Sequence, residues 1–237
     1  GRQRGHSSGW RAALMEKMGH QPNLQRVATT VHEARTAILP TATPDWRQQL
    51  PTLVGGRVTL RELKLSDAPA LLATMTAEEV ARFISTPPDT IEGFERFIQW
   101  AQREREYGRY ACFAVIPHGM THPIGLFQIR QLASGFTTAE WGFAIASAFW
   151  GGGYFVDAAR MVVDFAIDTV GVTRLEARSA VANGRGNGAL RKLGAVQEGV
   201  LRRAFRKDGR QLDQALWSIL AADWRQAKAV WRPEIVH

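Results

Sequence analysis

Three consecutive glycines, Gly151 to Gly153, join two segments of opposite periodicity. On the N-terminal side, over residues 137–146, Ala139, Trp141, Phe143 and Ile145 alternate with other residues at the two-residue period of a strand. On the C-terminal side, over residues 154–170, Phe155, Ala158, Ala159, Met161, Val162, Phe165, Ala166 and Thr169 recur at helical spacing. A strand that enters a helix through residues without side chains leaves backbone N–H groups open at the positive end of the helix. Such a junction suits an anion, phosphate or pyrophosphate above all. The same pattern also serves as a plain turn, and the local residues alone do not choose between the two.

The flanking chain says what kind of fold the junction sits in. Residues 173–181 alternate again, Leu175, Ala177, Ser179 and Val181 against Glu176, Arg178 and Ala180. A strand, a helix and a strand in one sheet predict a right-handed crossover with the two strands parallel. Upstream, residues 57–63 read as a strand, Ser66 and Asp67 offer a helix N-cap, and Pro87-Pro88 is a break before an amphipathic helix over 90–107. Strands over 110–116, 123–132 and 137–146 follow at hairpin spacing. Downstream, Asn183 to Gly188 form a second glycine-rich turn that opens a helix over 189–193, ended by Gly194. Strands over 196–205 and 211–220 then flank the turn signal Asp208-Gly209. The order β–α–α–β–β–β–α–β–α–β–β predicts an α+β fold. Its mixed, mostly antiparallel sheet would have about six to seven strands, flanked by helices.

Domain limits follow. Residues 1–50 read as an N-terminal extension with short helices over 10–18 and 24–39, broken by Pro40 and Pro44. Residues 51–222 form the folded domain. Residues 223–237 form a tail, helical until Pro233, whose Trp224 and Trp231 pack on the domain.

Composition narrows the partners. Of 237 residues 45% are hydrophobic, enough for a sizeable core. No apolar run approaches the roughly 18–20 residues of a membrane span, and the first twenty residues lack an apolar signal core. The expectation is a cytoplasmic chain with no membrane partner. Cys112 is the single cysteine and reads as a small buried hydrophobe. His118 and His122 have the spacing of a helical ligand pair, but Gly119 and Pro123 make that stretch a turn, so no metal is expected. A net charge of +8 calls for anionic company: a phosphorylated cofactor, an acidic protein surface or nucleic acid. The basic residues are scattered and no nucleic-acid motif accompanies them, which places nucleic acid last.

Over residues 56–220 the chain resembles the GNAT superfamily of acyl-CoA-dependent N-acetyltransferases, in particular its RimJ/RimL type, which includes ribosomal-protein N-terminal acetyltransferases. Arg57-Val58-Thr59-Leu60-Arg61 resembles the opening strand, and Ala139-Glu140-Trp141-Gly142-Phe143 the strand before the cofactor loop. Phe149-Trp150-Gly151-Gly152-Gly153-Tyr154 with Asp157-Ala158 resembles the loop itself, with Asp for the usual Glu. Asn183, Leu190, Lys192-Leu193-Gly194 and Glu198-Gly199-Val200-Leu201-Arg202 resemble the closing motif.

The resemblance implies acetyl-CoA as cosubstrate and a primary amine as acceptor, first a protein N-terminal α-amine, or else a small-molecule amine such as a polyamine, amino acid or aminoglycoside; the residues leave monomer and homodimer both open. It assigns Trp150, Gly151, Gly152, Gly153, Tyr154 and Phe155 to the pyrophosphate, the strand from Trp141 to Ala146 to the pantetheine arm, and Asn183 to the cofactor near the acceptor; the backbone N–H groups near Phe143, Ala144 and Ile145 are the candidates to polarise the thioester carbonyl. Arg185 and Arg191 are candidates for the CoA phosphates or are solvated helix cations. Direct transfer needs a deprotonated amine, donors for the oxyanion and an acid for the thiolate. Glu140 is the candidate base, or else a strand glutamate paired with Arg130 or Arg178. The family's tyrosine acid is Leu190 here, and a serine common in the RimJ/RimL type is Gly186. Protonation is therefore left to water or Tyr154, or catalysis is weakened and the chain is a CoA-binding or interaction module.

Overall fold

A computed structural model of the chain describes residues 45–231. One mixed sheet of eight strands runs β1-β2-β3-β4-β5-β6-β8-β7. The strands are β1 (Leu53–Val54), β2 (Val58–Glu62), β3 (Tyr110–Pro117), β4 (Gly125–Gln131), β5 (Thr138–Ile145), β6 (Arg174–Ala180), β7 (Val196–Lys207) and β8 (Arg210–Leu220). The count exceeds the expected six to seven because β1 is two residues long, too short to show any alternation, and pairs only with β2. The helices expected over 10–18 and 24–39 and the side chain of Trp231 lie outside the described residues.

Alternation along the strands divides the core in two. Ala111, Phe113, Phe127, Ile129, Trp141, Leu175 and Trp217 face one layer, made of α4 (Tyr154–Asp164), α5 (Gly184–Leu193) and α6 (Ala221–Trp231). Tyr110, Cys112, Ala114, Leu126 and Ala144 face the other, made of α1 (Ala68–Met75), α2 (Glu78–Ala81) and α3 (Ile91–Glu106). Trp150 packs against both cores. Trp46 and Leu50, from the stretch read as extension, are buried in the first core, Trp46 edge-on to Phe136 at 5.7 Å and to Phe165 at 6.3 Å. Trp224 of α6 is buried too, its indole N–H donating to Asp164 at 2.8 Å.

The pairing that positions the site is β5 with β6. It is parallel, as the crossover requires, and lasts three residue pairs: Thr138↔Arg174, Ala139↔Leu175 and Glu140↔Glu176. Beyond Glu140, β5 continues paired to β4 alone and β6 to β8 alone. The sheet is thus split from Trp141 and Ala177 onward. The crossover helix ends in π-type turns over Phe165–Val170, closed by Gly171 at φ 91°.

α5 corrects the sequence reading. The helix begins at Gly184, not at Ala189, although three of its first five residues are glycine. Glycine costs about 1 kcal/mol each relative to alanine, and local bonds offset that cost. Asn183 caps the helix by accepting from the Gly186 N–H at 2.9 Å. The Asn187 amide donates to the carbonyls of Ala180 at 3.0 Å and Asn183 at 2.9 Å, and its oxygen accepts from the Trp217 indole at 2.9 Å.

Candidate active site

The split between β5 and β6 opens a cleft with two compartments. The larger, about 770 Å³, lies between the end of β5, the glycine loop and the first turns of α5. The smaller, about 190 Å³, lies in the split itself, walled by Gln128, Arg130, Glu140, Arg178 and Gln214 from the α1–α3 face of the sheet and by Ser179 from the α5 face. Phe83, Ile84, Phe143, Ala144, Asn183 and Gly186 line both, so the two compartments communicate.

The glycine loop is built as a cradle. Its entry is fixed by the Trp150 indole, which donates to the Ile145 carbonyl at 2.8 Å. Gly151 and Gly153 both have φ 81°, in the left-handed region that favours glycine. Gly153 is the N-cap of α4, and no side chain caps that helix. The N–H groups of its first turn, which have no intrahelical acceptor by construction, therefore face the groove bare. Phe155 packs against Phe143 at 4.5 Å and fixes the distance between loop and strand.

Of the residues expected at a cofactor, Phe143, Ala144, Ile145, Trp150, Gly151, Gly153, Phe155, Asn183 and Arg185 line the larger groove together. Arg185 lies over the Trp150 ring at 4.5 Å, at the start of the glycine loop. Gly152 is exposed beside Tyr154, and a Cβ there would meet the tyrosine ring at 2.7 Å. Arg191 is not brought to the groove: it stacks on Trp217 at 5.8 Å. Lys192 lines the groove instead and was missed. The signal was available, because Arg185, Gly188, Ala189 and Lys192 follow helical spacing and share the groove face, whereas Arg191 falls off it.

The two catalytic candidates are not brought together. Tyr154 packs edge-on to Phe149 at 5.5 Å and lines neither compartment. Glu140 does line the smaller one. Its carboxylate pairs with Arg130, its register partner on β4, and with Arg178 at 3.7 Å. Beside it stand three buried polar atoms with no partner among the described residues: Arg178 Nε, Ser179 Oγ and Gln214 Oε1. Sequence reasoning passed over Ser179 and Gln214, since each is one polar residue in an alternating strand.

Cys112 is fully buried, and burial pushes its thiol well above the usual range, which leaves it unreactive at neutral pH. Burial likewise raises the Tyr110 phenol, whose hydroxyl bonds Gln128. Among the described residues no group of three or more His, Cys, Asp or Glu could hold a metal ion, and no helix is long and apolar enough to cross a membrane.

Comparison with known proteins agrees with this geometry. Residues 57–196 match the model of the acetyltransferase (GNAT) domain. The N-acetyltransferase p20 of Bacillus licheniformis, itself uncharacterized, is 25% identical over 176 residues, covering 74% of this chain and 99% of its own. RimJ of Mycobacterium smegmatis, solved with CoA-disulfide, superposes with a TM-score of 0.65 at 22% identity, over 75% of this chain and 94% of RimJ. The ribosomal-protein-S5-alanine acetyltransferase of Vibrio fischeri superposes with a TM-score of 0.66 at 20% identity, over 73% and 98%. A split mixed sheet, a bare helix N-terminus behind a glycine loop and a family match over most of the folded domain lead to one conclusion: the chain belongs to the GNAT acetyltransferases, enzymes that take their acetyl group from acetyl-CoA.

Proposed function

We propose that the chain acetylates the α-amine at a protein or peptide N-terminus. The observation that carries this reading is that Arg178 and Gln214, both lining the smaller pocket, each hold a buried side-chain atom with no partner among the described residues, the Nε–H donor and the Oε1 acceptor. They belong to neighbouring strands, in adjacent register pairs of the same facing (Arg178↔Leu216 and Ala180↔Gln214). A peptide unit offers the complement, a C=O for the arginine and an N–H for the glutamine. A polyamine offers donors only, and would leave Arg178 Nε unfilled.

The residues fit acetyl-CoA on the other side of the split. The open N–H groups from Gly151 to Phe155 would hold the diphosphate, with Arg185 and Lys192 at its edge. The unpaired edge of β5 at Phe143 to Ile145 offers backbone groups to the pantetheine arm and to the thioester oxygen, where negative charge develops. Asn183 stands between the compartments. Glu140 is the one acidic residue lining the smaller pocket. It draws in the acceptor ammonium and holds the water that carries its proton away, with Arg130 and Arg178 fixing the carboxylate.

Thiol release from acetyl-CoA over a panel of N-terminally varied peptides, polyamines, amino acids and aminoglycosides tests the reading. Turnover confined to peptides supports it; turnover confined to the small amines contradicts it. Glu140→Gln is expected to lower kcat about 100-fold with acetyl-CoA binding intact, and unchanged turnover would remove Glu140 from the chemistry. One observation favours a second reading. Leu190 is fully buried and Gly186 has no side chain, so α5 supplies no acid. Binding of acetyl-CoA without thiol release on any amine would make the chain a CoA-binding module.

A further inference from the structure

The hydroxyl of Ser179 is the feature of the cleft that nothing above employs. The residue is only 9% exposed, and its Oγ has no hydrogen-bond partner among the described residues. It stands on the stretch of β6 that pairs with β8 but no longer with β5, across the split from Phe143 and Ala144, and lines the smaller pocket with Asn183, Gly186 and Leu190. A buried hydroxyl without a partner is unfavourable unless something else in the working molecule bonds it.

The surroundings keep that hydroxyl free. A Cβ at position 186 would lie 3.0 Å from Ser179 Oγ and 2.5 Å from the Asn183 amide nitrogen. Any side chain on α5 at that point would cover the hydroxyl or push it away. Leu190, the other residue of α5 facing this space, is wholly apolar. Neither Gly186 nor Leu190 offers a proton donor at this point of the split, and the hydroxyl that stands there is the one on β6.

We propose that Ser179 is a catalytic residue, the donor to the sulfur that leaves as the acetyl group is transferred. The inference rests on the reading of the larger groove as the acetyl-CoA site. The amine nitrogen bonds to the thioester carbon, the C–S bond breaks, and its electron pair goes to sulfur. Ser179 gives its Oγ proton to that sulfur and takes up the proton lost by nitrogen. The products are the amide and free CoA thiol, with the serine restored. A hydroxyl suits the relay because it donates and accepts at once, and Oγ has both capacities unused.

The test needs no acceptor. CoA is bound to the wild-type chain, to Ser179→Ala and to Ser179→Thr, and its thiol is titrated by ultraviolet thiolate absorbance, with the desulfo-CoA complex as blank. Arg130, Glu140 and Arg178, the charged side chains in the same wall, are unchanged in all three. The expected result is about tenfold less bound thiolate at a given pH in Ser179→Ala, the scale of one hydrogen bond to a charged group. The Kd for desulfo-CoA should be unchanged, and Ser179→Thr should follow the wild type. A titration identical in wild type and Ser179→Ala, with CoA bound to both, would overturn the proposal alone. A wild-type chain that binds no CoA would overturn the reading beneath it, and the proposal with it.

Discussion

Asp157 shows how a single side chain ties the cofactor loop to the rest of the sheet. It sits one turn into α4, and its carboxylate accepts from the backbone N–H groups of Gly56 at 3.1 Å, Arg57 at 2.7 Å and Val58 at 3.1 Å. Those donors open β2, about a hundred residues earlier. The carboxylate needs room, and Gly55 provides it: a Cβ there would lie 2.5 Å from Asp157 Oδ2. Hydrogen bonds to a charged acceptor contribute about 1.5–3 kcal/mol. Asp157→Ala is therefore expected to cost about 2 kcal/mol, a Tm loss of about 4–8 °C for a chain of this size. Gly55→Ala should be costly in the wild type and nearly neutral in the Asp157→Ala background. Additive losses in that double-mutant cycle, measured by urea unfolding, would count against a direct clash. In the sequence this aspartate was visible only as a departure from the family's glutamate. Its partners are backbone groups, which no side-chain pattern announces. The same holds for Ser179 and Gln214, whose importance lies in bonds they do not make.

At the scale of elements, the parallel junction of β5 and β6 is held by a line of alternating charges on one sheet face. From Arg130 and Glu140 the line passes to Arg178 and Glu176, which stand 3.7 Å apart, then to Arg174 at 2.9 Å. It ends at Glu198 on β7, 2.8 Å from Arg174. The Arg174 guanidinium, helped by the Ser218 hydroxyl at 2.7 Å, holds the Glu198 carboxyl down at about 2, against an ordinary 4.5. A carboxyl lowered on folding adds stability above its unfolded value and loses it as pH falls toward the folded one. Glu198→Gln should therefore have a lower urea midpoint than wild type at neutral pH. The gap should narrow below about pH 4.5 and close near pH 2. Because Glu198 is largely exposed, the gap is small, and high salt should reduce it. A gap that persists unchanged into acid would show that packing, not charge, is what the substitution removes.

The elements themselves were read well where periodicity is long. β2 to β8, the amphipathic α3 and the Asp208-Gly209 hairpin turn, at φ 48° and 77°, stand close to their expected places; the Thr90 side chain that caps α3 was not foreseen. β1 is too short to carry a period. The start of α5 was hidden by glycine, whose low propensity is overridden by bonds from Asn183 and Asn187 that only the folded chain displays.

The described residues form a three-layer sandwich split along one seam, and the seam makes the cleft. One layer of helices brings α4 and α5 to the cofactor side; the other brings Phe83 and Ile84 of the α1–α3 layer to both compartments. Of the chain's cations, Arg82, Arg185 and Lys192 line the larger groove, against one acidic residue there, Glu79, which leaves the groove net positive. The larger groove, where acetyl-CoA is proposed to sit, was legible because it is built from glycines and a strand running into a helix, both local features. The smaller pocket, proposed for the acceptor, was not, because it is assembled from β4, β5, β6 and β8 by the split in the sheet. No spacing along the chain encodes where two parallel strands part.

The central claim is that the glycine loop seats the diphosphate of acetyl-CoA, and one substitution pair tests it directly. Gly151 has φ 81° and open space where a side chain would go, and Asn and Asp both tolerate that backbone region better than other residues. Gly151→Asn and Gly151→Asp thus differ by one negative charge at the proposed phosphate seat. Calorimetry with acetyl-CoA should give a Kd of about 1–100 μM for the wild type, close to it for Gly151→Asn, and weaker by about tenfold or more for Gly151→Asp, the scale of charge–phosphate repulsion at short range. Equal affinities in the two variants, at equal Tm, would contradict the account.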